Sequence, residues 1–330
     1  MKRVLSLSLM LLACNNVDDP RGCPAGYAEL PPDEADPLIP SDLEFVGVYL
    51  ADELRLTGDL DWYVEPLTTA IGGTQPVMLR YIYDGAATAL DWPYIADDGG
   101  GEAVQITNVD GAQVTVRGVA ASSNYLRVFY ENTIFCTHRL MDAIELTAAP
   151  VNEIDLVPLG FEKVPANTPV AWAPGIRDVG VALYGNDKER LIDTSMQIMF
   201  AGAERVEWDT LRIDARAGSY KIAVTAGDKP TTAVDFIVVD HADSIAAEAD
   251  APTSIAPNVP TNVCFQAMSA DRYVAGLTWT FSVDGQQTIQ GDDTWRRNCI
   301  AVSTRQETGS VSVTASAGGQ SVTVALAIAN

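Results

Sequence analysis

The sequence predicts an all-β fold: a row of small β-sandwiches behind a disordered N-terminal tether. Three observations carry this. Apolar and polar residues alternate at period two in many short runs, as at Val311, Val313 and Ala315 and again at Val322, Val324, Leu326 and Ile328. Glycine- and proline-bearing turns separate those runs, at some seven strands per ~90–100 residues, the strand density of a sandwich. One pattern of about 90 residues also recurs along the chain.

The first element is an address. Lys2 and Arg3 form a short positive region, and Val4 to Leu12 form an apolar run too short to cross a bilayer. Leu11-Leu12-Ala13-Cys14 then stands where such a signal would be cut. It resembles the lipobox of bacterial lipoproteins, in which an aliphatic residue, a variable residue and Gly, Ala or Ser precede the cysteine. Leu12 is slightly larger than usual for its position. The resemblance covers about 14 residues and implies removal of 1–13 and lipidation of Cys14. Anchoring by two or three acyl chains is stable, at ~0.8 kcal/mol per buried CH₂. Asn15 follows the cysteine, and the sorting rule of enteric lipoproteins then favours the outer membrane.

The second element, 14–43, is a tether. Pro20, Pro24, Pro31, Pro32, Pro37 and Pro40 fall among many acidic residues. Proline at this density disfavours helix and sheet and holds the chain extended. At ~3.1 Å per residue it would reach roughly 80 Å. Packing back on the first domain is the other arrangement, and Cys23 allows it.

The remaining elements are sandwiches, divided at 44–149, 150–240 and 241–330. Gly218–Ala226 matches Gly309–Ala315 in its placement of apolar residues. Upstream, Met196–Phe200 corresponds to Trp279–Val283, and Val179, Val181 and Leu183 correspond to Val263 and Phe265. A weaker copy precedes these: Leu90-Asp91-Trp92 resembles Leu277-Thr278-Trp279, Val114 and Val116 resemble Ile300 and Val302, and Leu126, Val128 and Tyr130 resemble Val311, Val313 and Ala315. Ala317-Gly318-Gly319-Gln320 is the turn of a closing hairpin. Leu43 to Pro66 fits no copy. Each unit resembles a bacterial immunoglobulin-like domain, through a Trp at the third-strand position (Trp92, Trp279) and a closing Val-x-Val-x-Leu hairpin.

With Cys14 used by lipid, Cys23, Cys136, Cys264 and Cys299 remain, and an exported chain would pair them. Three connectivities are open. Cys264 and Cys299 lie in strands of one domain, so that pair is favoured, closing a loop of about 36 residues worth roughly 3–4 kcal/mol in the chain-entropy model. Cys23 would then pair with Cys136. No C-x₂-C spacing occurs and histidines number two, which argues against zinc.

Charge excludes one class of partner. Against 44 Asp and Glu stand 21 Lys and Arg, a formal net charge of −23, so nucleic acid is not an expected ligand. No catalytic residue, cofactor or metal ligand is expected. His138 and His241 have no motif partners, and no G-x-S-x-G elbow, H-E-x-x-H or Walker loop is present. Asp97-Asp98-Gly99-Gly100-Gly101-Glu102 is the best candidate for a calcium loop but lacks alternating D-x-D-x-D-G spacing, so a flexible acidic loop is expected. Among aromatic residues that could stack on sugars are Trp62, Trp172, Trp208 and Trp295, whereas Trp92 and Trp279 are expected in the core.

Two functions fit. The first is a lipid-anchored, non-enzymatic protein of the bacterial cell envelope, a spacer or an interaction module for protein or glycan. The second is an envelope enzyme or its accessory subunit, for example glycan-acting, with a site in 44–149. A deep pocket with converging polar groups in 44–149 would favour the second.

Overall fold

The computed structural model describes residues 28–29, 44–49, 68–83, 86–89, 94–132, 137–158, 162, 164, 168–284, 288–291 and 297–329. The expected signal segment 1–13, Cys14, Cys23, Cys136, Trp62, Trp92, Trp295 and most of the expected tether lie outside them. The chain forms two compact units. One comprises residues up to Glu153 with Leu183–Ser195 and Ala226–Lys229; the other comprises Ile154–Ala182, Met196–Thr225 and Pro230–Asn330.

The first unit is built from β1 (Ala28–Glu29), β2 (Glu44–Tyr49), β3 (Thr68–Ala70), β4 (Thr74–Tyr83), β5 (Ala86–Ala89), β6 (Tyr94–Asp97), β7 (Val104–Asp110), β8 (Gln113–Gly118), β9 (Ser122–Asn132) and β10 (Thr137–Ala149). One sheet runs β2-β4-β8-β7 and the facing sheet β3-β10-β9-β6. Val77, Leu79, Val114 and Val116 from the first meet Leu126, Val128, Ile144 and Leu146 from the second, all buried. Period-two alternation decides this: Gln113–Gly118 buries Val114 and Val116 and turns Arg117 outward. Within the proline-rich segment, Ala28 and Glu29 pair in parallel with Thr137 and His138, so that part of the expected tether is a strand added to the first sandwich.

The second unit holds two further sandwiches. The earlier uses β11 (Glu153–Pro158), β12 (Val170–Trp172), β13 (Gly175–Tyr184), β15 (Gln197–Met199), β16 (Glu204–Glu207), β17 (Thr210–Ala215), β18 (Gly218–Thr225) and β19 (Thr232–Val238), with Glu153 and Leu183–Tyr184 at the strand ends counted in the first unit. The short β14 (Arg190–Ile192) between them belongs to the first unit and pairs in parallel with β3. The later sandwich uses β20 (Ser244–Ala247), β21 (Ser254–Ile255), β22 (Thr261–Ser269), β23 (Arg272–Ala275), β24 (Thr280–Asp284), β25 (Thr288–Gly291), β26 (Cys299–Thr304), β27 (Ser310–Ala317) and β28 (Gln320–Ile328).

One strand order recurs. The sheet β2-β4-β8-β7 is repeated as β11-β13-β17-β16 and as β20-β22-β26-β25. Its partner β3-β10-β9-β6 is repeated as β12-β19-β18-β15 and as β21-β28-β27-β24. In each partner sheet the first two strands pair in parallel, while the later hairpins are antiparallel. Eight strands recur where some seven were expected: each copy opens with two strands, β2 and β3, β11 and β12, or β20 and β21, that join different sheets. The residues matched between copies in the sequence fall on equivalent strands: Val114, Val116 with Ile300, Val302 on β8 and β26, and Met196–Phe200 with Trp279–Val283 around β15 and β24. Leu43–Pro66, which matched nothing, contains the opening strand β2.

Local chemistry accounts for the closing hairpin. Ala317 stands opposite Gln320, with Gly318 at φ 56° and Gly319 at φ 81°. Two successive positive φ values suit the right-handed twist of a two-residue turn, and glycine adopts them without a Cβ clash. Behind it, Val311, Val313, Ala315 and Leu326 pack on Val263, Phe265, Ile300 and Val302.

Candidate functional site

The Asp97–Glu102 loop is specified rather than loose. Gly99 N donates to Asp97 Oδ1 at 2.9 Å, Gly100 N to Asp98 Oδ1 at 3.1 Å and Ile106 N to Asp98 Oδ2 at 2.9 Å. Arg127 Nη2 donates to Asp97 Oδ2 at 2.5 Å. Asn124 bridges the loop to β7, giving its amide to Asp98 O and Val104 O and accepting from Val104 N. Gly99, Gly100 and Gly101 all have positive φ, which explains three glycines in a row. The Asp97 and Asp98 carboxylates are therefore occupied by N–H groups and a guanidinium, the arrangement of a turn. Among the described residues, no group of three His, Cys, Asp or Glu is placed to hold a metal ion.

Cys264 and Cys299 are disulfide-bonded, with Cα atoms 4.0 Å apart. They face each other across neighbouring strands of one sheet, β22 and β26. Val263 and Phe265, on either side of Cys264, point into the core, so the bridge lies on the opposite face. It staples two adjacent strands and leaves the two facing sheets unlinked.

Of the histidine and tryptophan side chains, those of His241, Trp172, Trp208 and Trp279 are described. His241 Nε2 lies 3.2 Å from Asp243 Oδ1, with both side chains more than half exposed. Asp243 instead holds the β22–β23 turn, accepting from Ala270 N at 2.8 Å and Ser269 Oγ at 3.1 Å. Those two donors keep its carboxyl below the usual range. His138 is described at its backbone, opposite Glu131 on β9. Trp172, a candidate for sugar stacking, is buried against Phe236 at a ring separation of 5.0 Å. Trp279 is partly buried and stacks on Phe281 at 6.2 Å. Trp208 is half-buried, and its carbonyl accepts from Arg205 Nη2.

Three features escaped sequence reasoning. The first is Asp193, buried in the first unit. Its Oδ1 accepts from Thr74 N at 3.1 Å, Ser195 N at 2.9 Å and Ser195 Oγ at 2.5 Å; its Oδ2 accepts from Gly227 N at 2.7 Å. One carboxylate thus ties three separate stretches of chain. Asp-Thr-Ser is an Asx-turn signal, the one hint of it in the sequence. The second is an open cleft of about 490 Å³ at the edge of the second sandwich, with Ile198, Met199, Phe200 and Leu211 below and Arg205 and Lys221 at its rim. Arg205 is committed to three backbone carbonyls there. The third is Glu162, held by Tyr273 and Gly276. Burial pushes its carboxyl up, against smaller lowering effects from those two donors and from Arg297 and Arg177. Nothing distinguishes Glu162 from the other carboxylates of so acidic a chain. A shallow polar groove lies beside the closing hairpin, between Thr278, Thr280 and Gly318–Ser321.

No protein-family model and no curated protein matches this chain. Similar solved structures include domains 4 and 5 of the S-layer protein SbsC, at 14% identity over 45% of this chain and 90% of that one, with a TM-score of 0.25. A longer SbsC structure, domains 4–9, aligns over 87% of this chain and 47% of that one at 14% identity and a TM-score of 0.24. The adhesin InvE of Yersinia pseudotuberculosis aligns at 12% identity over 50% of this chain and 57% of that one, with a TM-score of 0.25. At these values the architecture rests on the strand order of the chain itself.

Proposed function

We propose that this chain is a lipid-anchored protein of the bacterial cell envelope, outer membrane favoured, whose tandem sandwiches act as a non-enzymatic spacer and interaction module. One observation carries the reading: a lipobox-like Leu11-Leu12-Ala13-Cys14 stands ahead of a proline-rich stretch and three copies of one strand order. A lipid on Cys14 would fasten the chain to a membrane, and repeated small domains in series give reach and surface with no catalytic machinery. Domains 44–149, 150–240 and 241–330 are the modules of this reading. Its partner is a protein or a glycan rather than nucleic acid, given the net charge of −23. Asp97, Asp98, Asp193 and Asp243 hold turns and ion pairs, and Trp172 and Trp279 pack against aromatic neighbours.

Labelling with radioactive palmitate in a bacterial host, followed by membrane fractionation, tests the anchor. The chain should label and sediment with membranes, and Cys14→Ala should abolish labelling and release the chain or block its processing. A Cys14→Ala variant that is still processed and membrane-bound would refute the proposal. A glycan array probed with the chain freed of its lipid tests the second half, with selective binding supporting a glycan partner.

A further inference from the structure

The second and third sandwiches share a strand. β12 pairs in parallel with β19 of its own sandwich, Trp172 opposite Val238, and in parallel with β23 of the next, Val170 opposite Tyr273 and Trp172 opposite Ala275. Backbone hydrogen bonds from Tyr273 N to Pro169 O and from Ala173 N to Ala275 O, both 2.9 Å, close the seam at its ends. Ala173, Ala242, Ala267 and Val274 fill it. Val239, Ile245, Leu277 and Trp279, partly buried, pack against them.

A polar contact supplements them. Glu162 lies between β11 and β12, and its carboxylate reaches the third sandwich. Oε2 accepts from Tyr273 Oη at 3.1 Å, and Gly276 N donates to Oε1 at 3.0 Å and to Oε2 at 3.2 Å. Tyr273 is fully buried and is also the residue opposite Val170, so strand pairing and carboxylate converge on one side chain. Gly276 has φ 80°, and a Cβ there would stand 2.5 Å from Arg177 Nε. Glycine therefore lets the Arg177 side chain lie across the turn, where it donates to Pro174 O and Ile176 O. We propose that Glu162 is the pin of a pH-sensitive latch between the second and third sandwiches.

The charged groups around the pin set its direction. Arg297 and Arg177 face Glu162 and favour its ionised form, as do the Tyr273 and Gly276 donors. Glu248, itself buried, faces Tyr273 from β20's C-terminal end. Burial outweighs the favourable contacts and raises the Glu162 carboxyl above its ordinary range. Tyr273 is pushed upward as well, by burial and then by Glu162, so it stays a protonated donor. A raised carboxyl pKa means the docked state holds its proton more tightly than a solvated glutamate does. The latch is thus at full strength below about pH 4.3 and weakens as pH rises through the higher value of docked Glu162. Ionised Glu162 keeps its three hydrogen bonds, so the seam loosens and does not part.

Hydrogen exchange of the full-length chain, followed by mass spectrometry on the peptide spanning Arg272–Thr278, reads the latch directly. After correction for intrinsic exchange rates, this peptide should exchange severalfold faster at about pH 8 than at about pH 4. Glu162→Gln removes the titrating group and should exchange without the wild-type pH dependence. Glu162→Ala should exchange fast at both, while the core peptide Val311–Ala317 stays protected and reports an intact sandwich. The proposal is overturned if wild-type exchange at Arg272–Thr278 has no more pH dependence than Val311–Ala317. It is equally overturned if Glu162→Gln keeps the wild-type pH dependence.

Discussion

Asp193→Ala should be the most damaging single substitution at a polar residue of the first unit. The carboxylate is 1% exposed and accepts from three backbone N–H groups and one hydroxyl. Removing it leaves the N–H groups of Thr74, Ser195 and Gly227 without that acceptor. A buried donor left unpaired costs ~1–3 kcal/mol, and water entering the vacated space recovers part of this. The expected loss is about 3–5 kcal/mol. For a unit of this size, that lowers its melting temperature by roughly 6–20 °C at ~2–4 °C per kcal/mol. Asp193→Asn keeps one acceptor oxygen and should lose about half as much. Scanning calorimetry supplies the melting temperatures, and hydrogen exchange should show Gly227 and Thr74 losing protection together. A transition shifted by less than ~2 °C in Asp193→Ala would refute the account of one carboxylate tying three segments.

Two further outcomes follow from the same geometry. Replacing Cys264 and Cys299 by Ala should destabilise the third sandwich by ~2–4 kcal/mol, the usual cost of losing a disulfide; non-reducing peptide mapping should recover the Cys264–Cys299 crosslink, and a bridge to Cys23 or Cys136 instead would contradict the pairing. Gly319→Ala meets nothing within 4 Å and pays only for φ 81°, about 1–2 kcal/mol, whereas a Cβ on Gly227 would lie 2.3 Å from Ile71 O at φ 58°. Gly227→Ala should therefore lower the denaturation midpoint more than Gly319→Ala, and the reverse order would show that the β3–β4 turn yields without cost.

Much of the architecture was legible because it depends on period and repetition. Val311, Val313 and Ala315 alternate with Ser and Thr, and all three are fully buried. The match of Gly218–Ala226 to Gly309–Ala315 placed β18 and β27 in equivalent positions, because equivalent strands must bury alternate residues against equivalent sheets. The cysteine pair was legible for a related reason: neighbouring strands of one domain bring Cys264 and Cys299 within reach. Trp172 was harder. As one apolar residue between Ala171 and Ala173 it has no period to read, and its contact with Phe236 is made by a distant strand.

Alternation and turn chemistry alone determined the all-β class, the recurring sandwich and the glycine hairpin at Gly318-Gly319, since these are properties of short stretches of chain. The tertiary structure decided which carboxylates matter. In a chain with 44 acidic residues, Asp193 and Glu162 look like the rest. Asp193 is singled out by Thr74 and Gly227, and Glu162 by Tyr273 and Gly276, groups distant in sequence that only the packed strands bring together. Hydrophobic periodicity is local and can be read along a line, whereas the burial and hydrogen bonding of one charged side chain depend on which distant backbone donors close around it.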